Sequence, residues 1–547
     1  MEEKRWQSYP RPQLKRKSYV NLNGTWDLNG KQIQIPFAPQ CRLSEYIGEI
    51  GEKLVYTRTF DIPETFALPR ILLHFGAVDQ IAEVYVNDVQ VGKHEGGYLH
   101  FSFDITHVVK RNQTNTLRVE AVDTLSQKYP YGKQSKKRGG MWYTPISGIW
   151  QTVWMENVPD AYIKEIKLTP SMRDITMEVV GETKGFKAVI FEQNGRKAAE
   201  QTFADNKGTI VLEKPMLWDI DHPHLYDLKI FTEQDEIESY FALRSVEIKK
   251  VGGINRICLN NKPIFMHGLL DQGYFEDGIY LPEKEEEFAK DILRMKELGF
   301  NMLRKHIKVE PEQFYYDCDR LGMLVIQDMV NNSGYNYILD TVLPTIGFKK
   351  RNDCRGRYQN PEHKRFFEKH MKETLHDLYN HPCIIGYTIF NEGWGQFESD
   401  RMYDIAKSLD ATRFYDATSG WFAQSKSDVD SEHIYFRAEE LKVKERPLFL
   451  SECGGFSYKV DGHVFNTEKS YGYGACANSE ELTERIVDMY NIMVVPCIKK
   501  GMCGCVYTQV SDVEDEINGM YTYDRQVCKV NKEKMQKLAE RIFAEIE

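Results

Sequence analysis

The feature that most limits what this chain can fold into is a change of hydrophobic period near Gly252. Beyond it, short apolar runs alternate with longer amphipathic ones, the pattern of parallel strands joined by crossover helices. Eight runs read as strands: Pro263–Leu270, Asn301–Ile307, Met323–Met329, Ile384–Glu392, Arg413–Trp421, Asp430–Phe436, Pro447–Gly455 and Gly504–Asp512. Helical stripes fall between several of them. Glu285–Leu298 places Phe288, Ile292, Met295 and Leu298 on one face, and Glu362–Tyr379 is a second candidate. Eight such strands across residues 249–547 predict a (β/α)8 TIM barrel.

Upstream the period is two. Runs such as Val55–Phe60, Ala82–Val86 and Thr116–Glu120, broken by Gly, Asn and Asp, predict an all-β sandwich over residues 1–158. Pro159 opens a second series ending near residue 248, the size of an immunoglobulin-like sandwich. Three domains agree with 547 residues at about 150 residues each. With 71 basic and 81 acidic residues, the formal charge of −10 offers no basic excess for phosphates, which excludes nucleic acid as the expected partner. No apolar run approaches the ~20 residues that span a bilayer, and the first residues lack a signal-like apolar core, so a soluble, cytoplasmic chain without membrane contact is expected. Eleven cysteines, an odd number without regular spacing, read as reduced buried thiols. Cys503-Gly-Cys505 and His222-Pro-His224 lack partner ligands at metal-site spacing, so neither a metal nor a cofactor is expected.

In a barrel, chemistry gathers where strands end on the C-terminal face. Two predicted strands finish in a carboxylate there: Thr388-Ile-Phe-Asn391-Glu392-Gly-Trp394, and Leu448-Phe-Leu-Ser-Glu452-Cys-Gly. A charge at the end of a buried apolar run is costly unless it is paired or working. Two such glutamates facing across a barrel mouth suit retaining glycoside hydrolysis, one as nucleophile and one as acid and then base, with Asn391 offering an amide to a sugar hydroxyl. Two long connections, 331–361 and 456–478, also follow strands and are expected to wall the mouth.

These residues, with Leu22-Asn-Gly-Thr-Trp26 and Gly148-Ile-Trp-Gln-Thr-Val-Trp154, make the chain similar to glycoside hydrolase family 2, the β-galactosidases, β-glucuronidases and β-mannosidases. The resemblance implies a jelly-roll sugar-binding-like domain, an immunoglobulin-like sandwich and a catalytic barrel. It implies Glu392 as acid/base after Asn391, and Glu452 as nucleophile. The expected activity is that of a retaining exo-β-glycosidase acting on a small glycoside or oligosaccharide, foremost a β-galactosidase, and the resemblance also suggests a homo-oligomer. A β-glucuronidase or β-galacturonidase using Lys305, or cations of the 349–357 loop, is the alternative, and a non-catalytic carbohydrate-binding protein is a third reading. Where β-galactosidases and β-glucuronidases carry Arg-His-Glu, this chain has Leu270-Asp271-Gln272-Gly273-Tyr274, and the Asn-x-Lys signature that grips uronates is replaced by Glu516-Ile-Asn518-Gly-Met520. Candidate sugar contacts are Asp271, Tyr274, Lys305, His306, Trp394, Trp421, His433, Tyr435 and Tyr507.

Overall fold

The computed structural model describes residues 5–435 and 438–546. Its architecture is the expected one: two β-sandwiches followed by an eight-stranded parallel barrel. In the first sandwich, a four-stranded sheet carrying Arg70–Phe75 and Val153–Val158 packs on a six-stranded sheet carrying Lys53–Phe60, Ile81–Val86 and Asn115–Val122. Asn115–Val122 alternates strictly between buried and solvent-facing positions, as a strand with one wet face must. Trp26, Tyr56, Phe75, Val84 and Val119 fill the space between the sheets. The second sandwich pairs a three-stranded sheet with a four-stranded one around Ile166, Met177, Ile190, Leu228 and Phe241. Trp218 fixes it to the barrel: its ring is fully buried, and Nε1 donates to the Asp319 carbonyl at 2.7 Å.

The barrel strands are β1 (Met266–Asp271), β2 (Met302–Lys305), β3 (Leu324–Asp328), β4 (Ile384–Asn391), β5 (Phe414–Ser419), β6 (Asp430–Ile434), β7 (Leu448–Gly454) and β8 (Met502–Thr508). The run predicted to end at Phe436 extends outside the described residues. β1 begins three residues later than expected because Lys262–Pro263 turns back to pair antiparallel with Cys258 and Leu259. That small sheet closes the N-terminal end, where Arg256 donates to the carbonyls of Ile498 and Lys499. The parallel ladder runs β5-β4-β3-β2-β1-β8-β7-β6. Its two ends meet through side chains: Ser419 Oγ lies 2.9 Å from His433 Nε2, and the Gly420 amide donates to Ser431 Oγ at 3.4 Å. Among the described residues no helix is long and apolar enough to cross a membrane.

Trp218→Ala removes both a buried ring and the bond to Asp319, so it should cost about 3–5 kcal/mol and lower the melting temperature of the purified protein by several degrees. An unchanged melt would show that the sandwich does not brace the barrel.

Candidate active site

The C-terminal mouth of the barrel is organised by a residue absent from the sequence-derived candidates. Arg304, on β2, is fully buried. Its Nε donates to Asp328 Oδ1 at 2.9 Å, one terminal nitrogen donates to the Ser451 carbonyl at 2.8 Å and to Glu452 Oε1 at 3.2 Å, and the other donates to Asn391 Oδ1 at 2.9 Å. The planar fork of a guanidinium matches this set of acceptors, which an ammonium cannot reach together. Asp328 also lies 2.7 Å from His306 Nδ1. Burial pushes the Asp328 carboxyl up, but Arg304 and His306 outweigh it and hold the group below its ordinary range.

Glu392 and Glu452 close on each other beside this hub. One carboxylate oxygen from each, and a ring nitrogen of His433, all lie within 4.8 Å of one another. Glu452 lies within a fully buried strand, two residues from its end, whereas Glu392 follows β4 with a φ of 51°, a left-handed turn that carries its side chain off the strand and over the mouth. The Tyr435 hydroxyl bridges them, 2.8 Å from Glu392 Oε1 and 2.7 Å from Glu452 Oε2. A phenol has one proton, so both contacts are satisfied when Glu392 holds a proton and Tyr435 donates to Glu452. Burial raises the Glu392 carboxyl above its usual range, only partly offset by the Lys133 charge and the Tyr435 bond. Burial also lowers His433 to about 3, so a neutral imidazole sits 2.8 Å from Glu392 Oε1. Glu392, His433 and Glu452 are the one group among the described residues with metal-ligand spacing, and Arg304 already supplies positive charge to it.

Several expected contacts serve as bracing. Trp394 is buried and donates to the Ser333 carbonyl at 3.0 Å, while Trp421 donates to the Glu392 carbonyl at 3.0 Å. Tyr507 accepts the Phe456 amide at 3.1 Å under the 456–478 connection. Tyr473, from that connection, stacks on Tyr435 at 4.5 Å. The 331–361 connection is pinned by buried Asp340, which takes Arg351 at 3.2 Å, Arg357 at 3.1 Å and Tyr358 at 2.7 Å.

Lys305, Asp271 and Tyr274 require correction as mouth residues. Neighbouring strand residues point to opposite faces, so with Arg304 inward Lys305 faces outward. Its ammonium lies 4.2 Å from the Phe314 ring centroid on the helix Glu312–Leu321, and pairs with Asp271 at 2.6 Å and Glu310 at 2.9 Å. Tyr274 packs edge-on to Tyr143 and Tyr280 at the junction with the first sandwich. Arg304 carried the same signal as the glutamates, a charge inside an apolar run. Glu516, contributed by the segment after β8, was likewise missed as a site residue. It is buried and accepts from the Tyr143 hydroxyl and, at 2.9 Å, from Asn518.

Three models of one family match successive parts of the chain: the glycosyl hydrolase 2 galactose-binding domain-like model over residues 29–150, the glycosyl hydrolases family 2 model over 161–244, and the glycosyl hydrolases family 2 TIM barrel model over 246–447. The chain belongs to glycosyl hydrolase family 2. It is 26% identical over 413 residues to a β-galactosidase of Thermoanaerobacter pseudethanolicus, covering 70% of this chain and 51% of that protein. It is also 26% identical over 450 residues to a putative β-glucuronidase of Formosa agariphila, covering 72% and 49%. The chain thus spans about half the length of these curated relatives. Its fold matches a β-glucuronidase of Ruminococcus gnavus with a TM-score of 0.77 at 17% identity, over 96% of this chain and 98% of that one. A β-D-glucuronidase of Dictyoglomus thermophilum gives 0.75 at 18% identity, over 98% of each.

Two predictions follow from the charge arrangement. Arg304→Met leaves Asp328 and Glu452 buried without their cation, and should cost about 3–5 kcal/mol in thermal stability; a melt equal to wild type would overturn the hub. Because the folded state raises the Glu392 carboxyl, folded protein holds a proton that the unfolded chain has released, so stability falls as pH climbs from the ordinary carboxylate range through the raised folded value. Glu392→Gln lacks that slope. It should melt above wild type at neutral pH, with the difference vanishing in acid; a difference constant with pH would contradict the assignment.

Proposed function

We propose that the chain is a retaining exo-β-glycosidase acting on terminal β-galactosides. The observation that carries this reading is the pair Glu392 and Glu452, with an oxygen of each within 4.8 Å at the barrel mouth. Retaining hydrolysis needs carboxyls about 5–5.5 Å apart, close enough that one attacks the carbon whose oxygen the other protonates. Glu392, whose protonated form burial favours, donates to the leaving oxygen; Glu452, aligned by Arg304 and Tyr435, attacks the anomeric carbon. Loss of the aglycone leaves a glycosyl ester on Glu452. Glu392, now ionised, takes a proton from water, which displaces the sugar with configuration retained.

Against the uronidase alternative stands the pairing of most of the cations it invoked, Lys305 with Asp271 and Glu310, Lys349 with Glu432 at 3.1 Å, and Arg351 and Arg357 with Asp340, while Lys350 and Arg355 are exposed. The stretch where that signature is missing offers a buried carboxyl, Glu516, in place of a cation.

Glu452→Gly and Glu392→Ala should each lower kcat on p-nitrophenyl β-D-galactopyranoside about 10³-fold or more while remaining folded by circular dichroism. Azide separates the roles. It should give the α-glycosyl azide with Glu452→Gly, which has lost the internal nucleophile, and the β-glycosyl azide with Glu392→Ala. Near-native rates in either variant, or inverted product from wild type, would overturn the mechanism. Faster wild-type turnover of the aryl glucuronide than of the galactoside would overturn the choice of sugar.

A further inference from the structure

The first sandwich reaches into the barrel mouth. Its segment 129–144 is fastened at several points. The Tyr131 amide donates to the Asn331 carbonyl at 3.0 Å, and its hydroxyl donates to the Ser333 carbonyl at 2.9 Å, both just past β3. Gly132, at a φ of 66°, runs so close to β2 that an added Cβ would lie 2.8 Å from the Ile307 carbonyl, one residue from His306. Trp142 packs edge-on to Trp394 at 5.1 Å, two residues past Glu392. Tyr143 donates to Glu516, and the Thr144 amide donates to Glu514 at 2.9 Å.

Lys133 stands between these fastenings. Its carbonyl accepts the Tyr143 amide at 3.0 Å, and its ammonium lies 5.8 Å from the Trp142 ring centroid. It is half-buried and forms no salt bridge among the described residues, unlike Lys305, Lys308 and Lys349, each of which has a carboxylate partner. A lysine beside Trp142, at the mouth edge that Trp142 shares with Trp394, and without a carboxylate partner among the described residues keeps its donors available to a ligand. Its charge favours the ionised forms of Glu392 and Glu516 and disfavours protonation of His306, which agrees with an ammonium directed at the cavity those three line. Glu516 keeps acceptor capacity beyond the bonds from Asn518 and Tyr143, because a carboxylate offers about four lone-pair sites.

We propose that Lys133, delivered by the sandwich, is a substrate-binding residue that donates to a hydroxyl of the neutral terminal sugar, while Glu516 accepts from another. A sugar hydroxyl both donates and accepts, so an ammonium and a carboxylate held apart suit a neutral polyol, whereas a uronate drawn to Lys133 also meets Glu452 and Glu516. This assignment rests on the glycosidase reading and adds the domain that completes its sugar site.

The test compares wild type, Lys133→Met and Lys133→Arg in two measurements. In steady-state hydrolysis of p-nitrophenyl β-D-galactopyranoside, Lys133→Met should raise KM about 10-fold or more with a smaller fall in kcat, and Lys133→Arg should recover part of the loss. In thermal melts, free galactose should stabilise wild type and Lys133→Arg, and leave Lys133→Met unshifted. Equal KM in wild type and Lys133→Met, or a galactose shift that is the same in both or absent from both, would overturn the assignment. Wild type that binds galactose through Lys133 yet turns over no aryl β-glycoside would instead overturn the glycosidase reading and leave the binding role standing.

Discussion

One guanidinium holds the centre of this molecule together. Arg304 ties β2 to Asp328 on β3, Asn391 on β4, and Ser451 and Glu452 on β7. An arginine keeps its charge in any environment a protein provides, so burying it obliges the surrounding strands to supply carboxylates and carbonyls. Those obligations fix where the ends of four strands lie. The spacing of Glu392 and Glu452 follows from that framework, because each is attached to, or adjacent to, an atom that Arg304 binds.

The hub also makes the two glutamates unequal. Glu452 takes a charged bond from Arg304, while Glu392 meets a neutral imidazole and a phenol and is desolvated. Two identical side chains thereby meet different surroundings, a cation at one and neutral groups at the other, as the two roles of a double displacement require. The difference arises because the Arg304 guanidinium bonds Glu452 directly but not Glu392.

The barrel was legible because a change from period two to alternating strand and helix survives divergence of individual residues, and the glutamates were legible because charge is out of place in an apolar run. Arg304 bore the same mark and was passed over in favour of its neighbours. Lys305 and Asp271 were misplaced because sequence does not say which face of a short strand is inward, and a shift of one residue exchanges barrel interior for helix packing. Trp394 and Trp421 sit where aromatic residues near a sugar site are expected, but their indole N–H groups are spent on backbone carbonyls. The part played by 129–144 was not legible at all. Nothing local marks Lys133, or Tyr143, whose partner Glu516 lies two domains away along the chain.

The barrel is not equally stitched all the way round. Between β5 and β6 the staves meet through Ser419, Ser431 and His433, with Ser451 of β7 joining them at 2.9 Å from Ser419. Hydroxyl contacts can lengthen and re-form singly, whereas a backbone ladder yields only as a unit. Closure of the barrel therefore rests there on single side-chain contacts, between two staves whose outer neighbours, β4 and β7, are both held by Arg304.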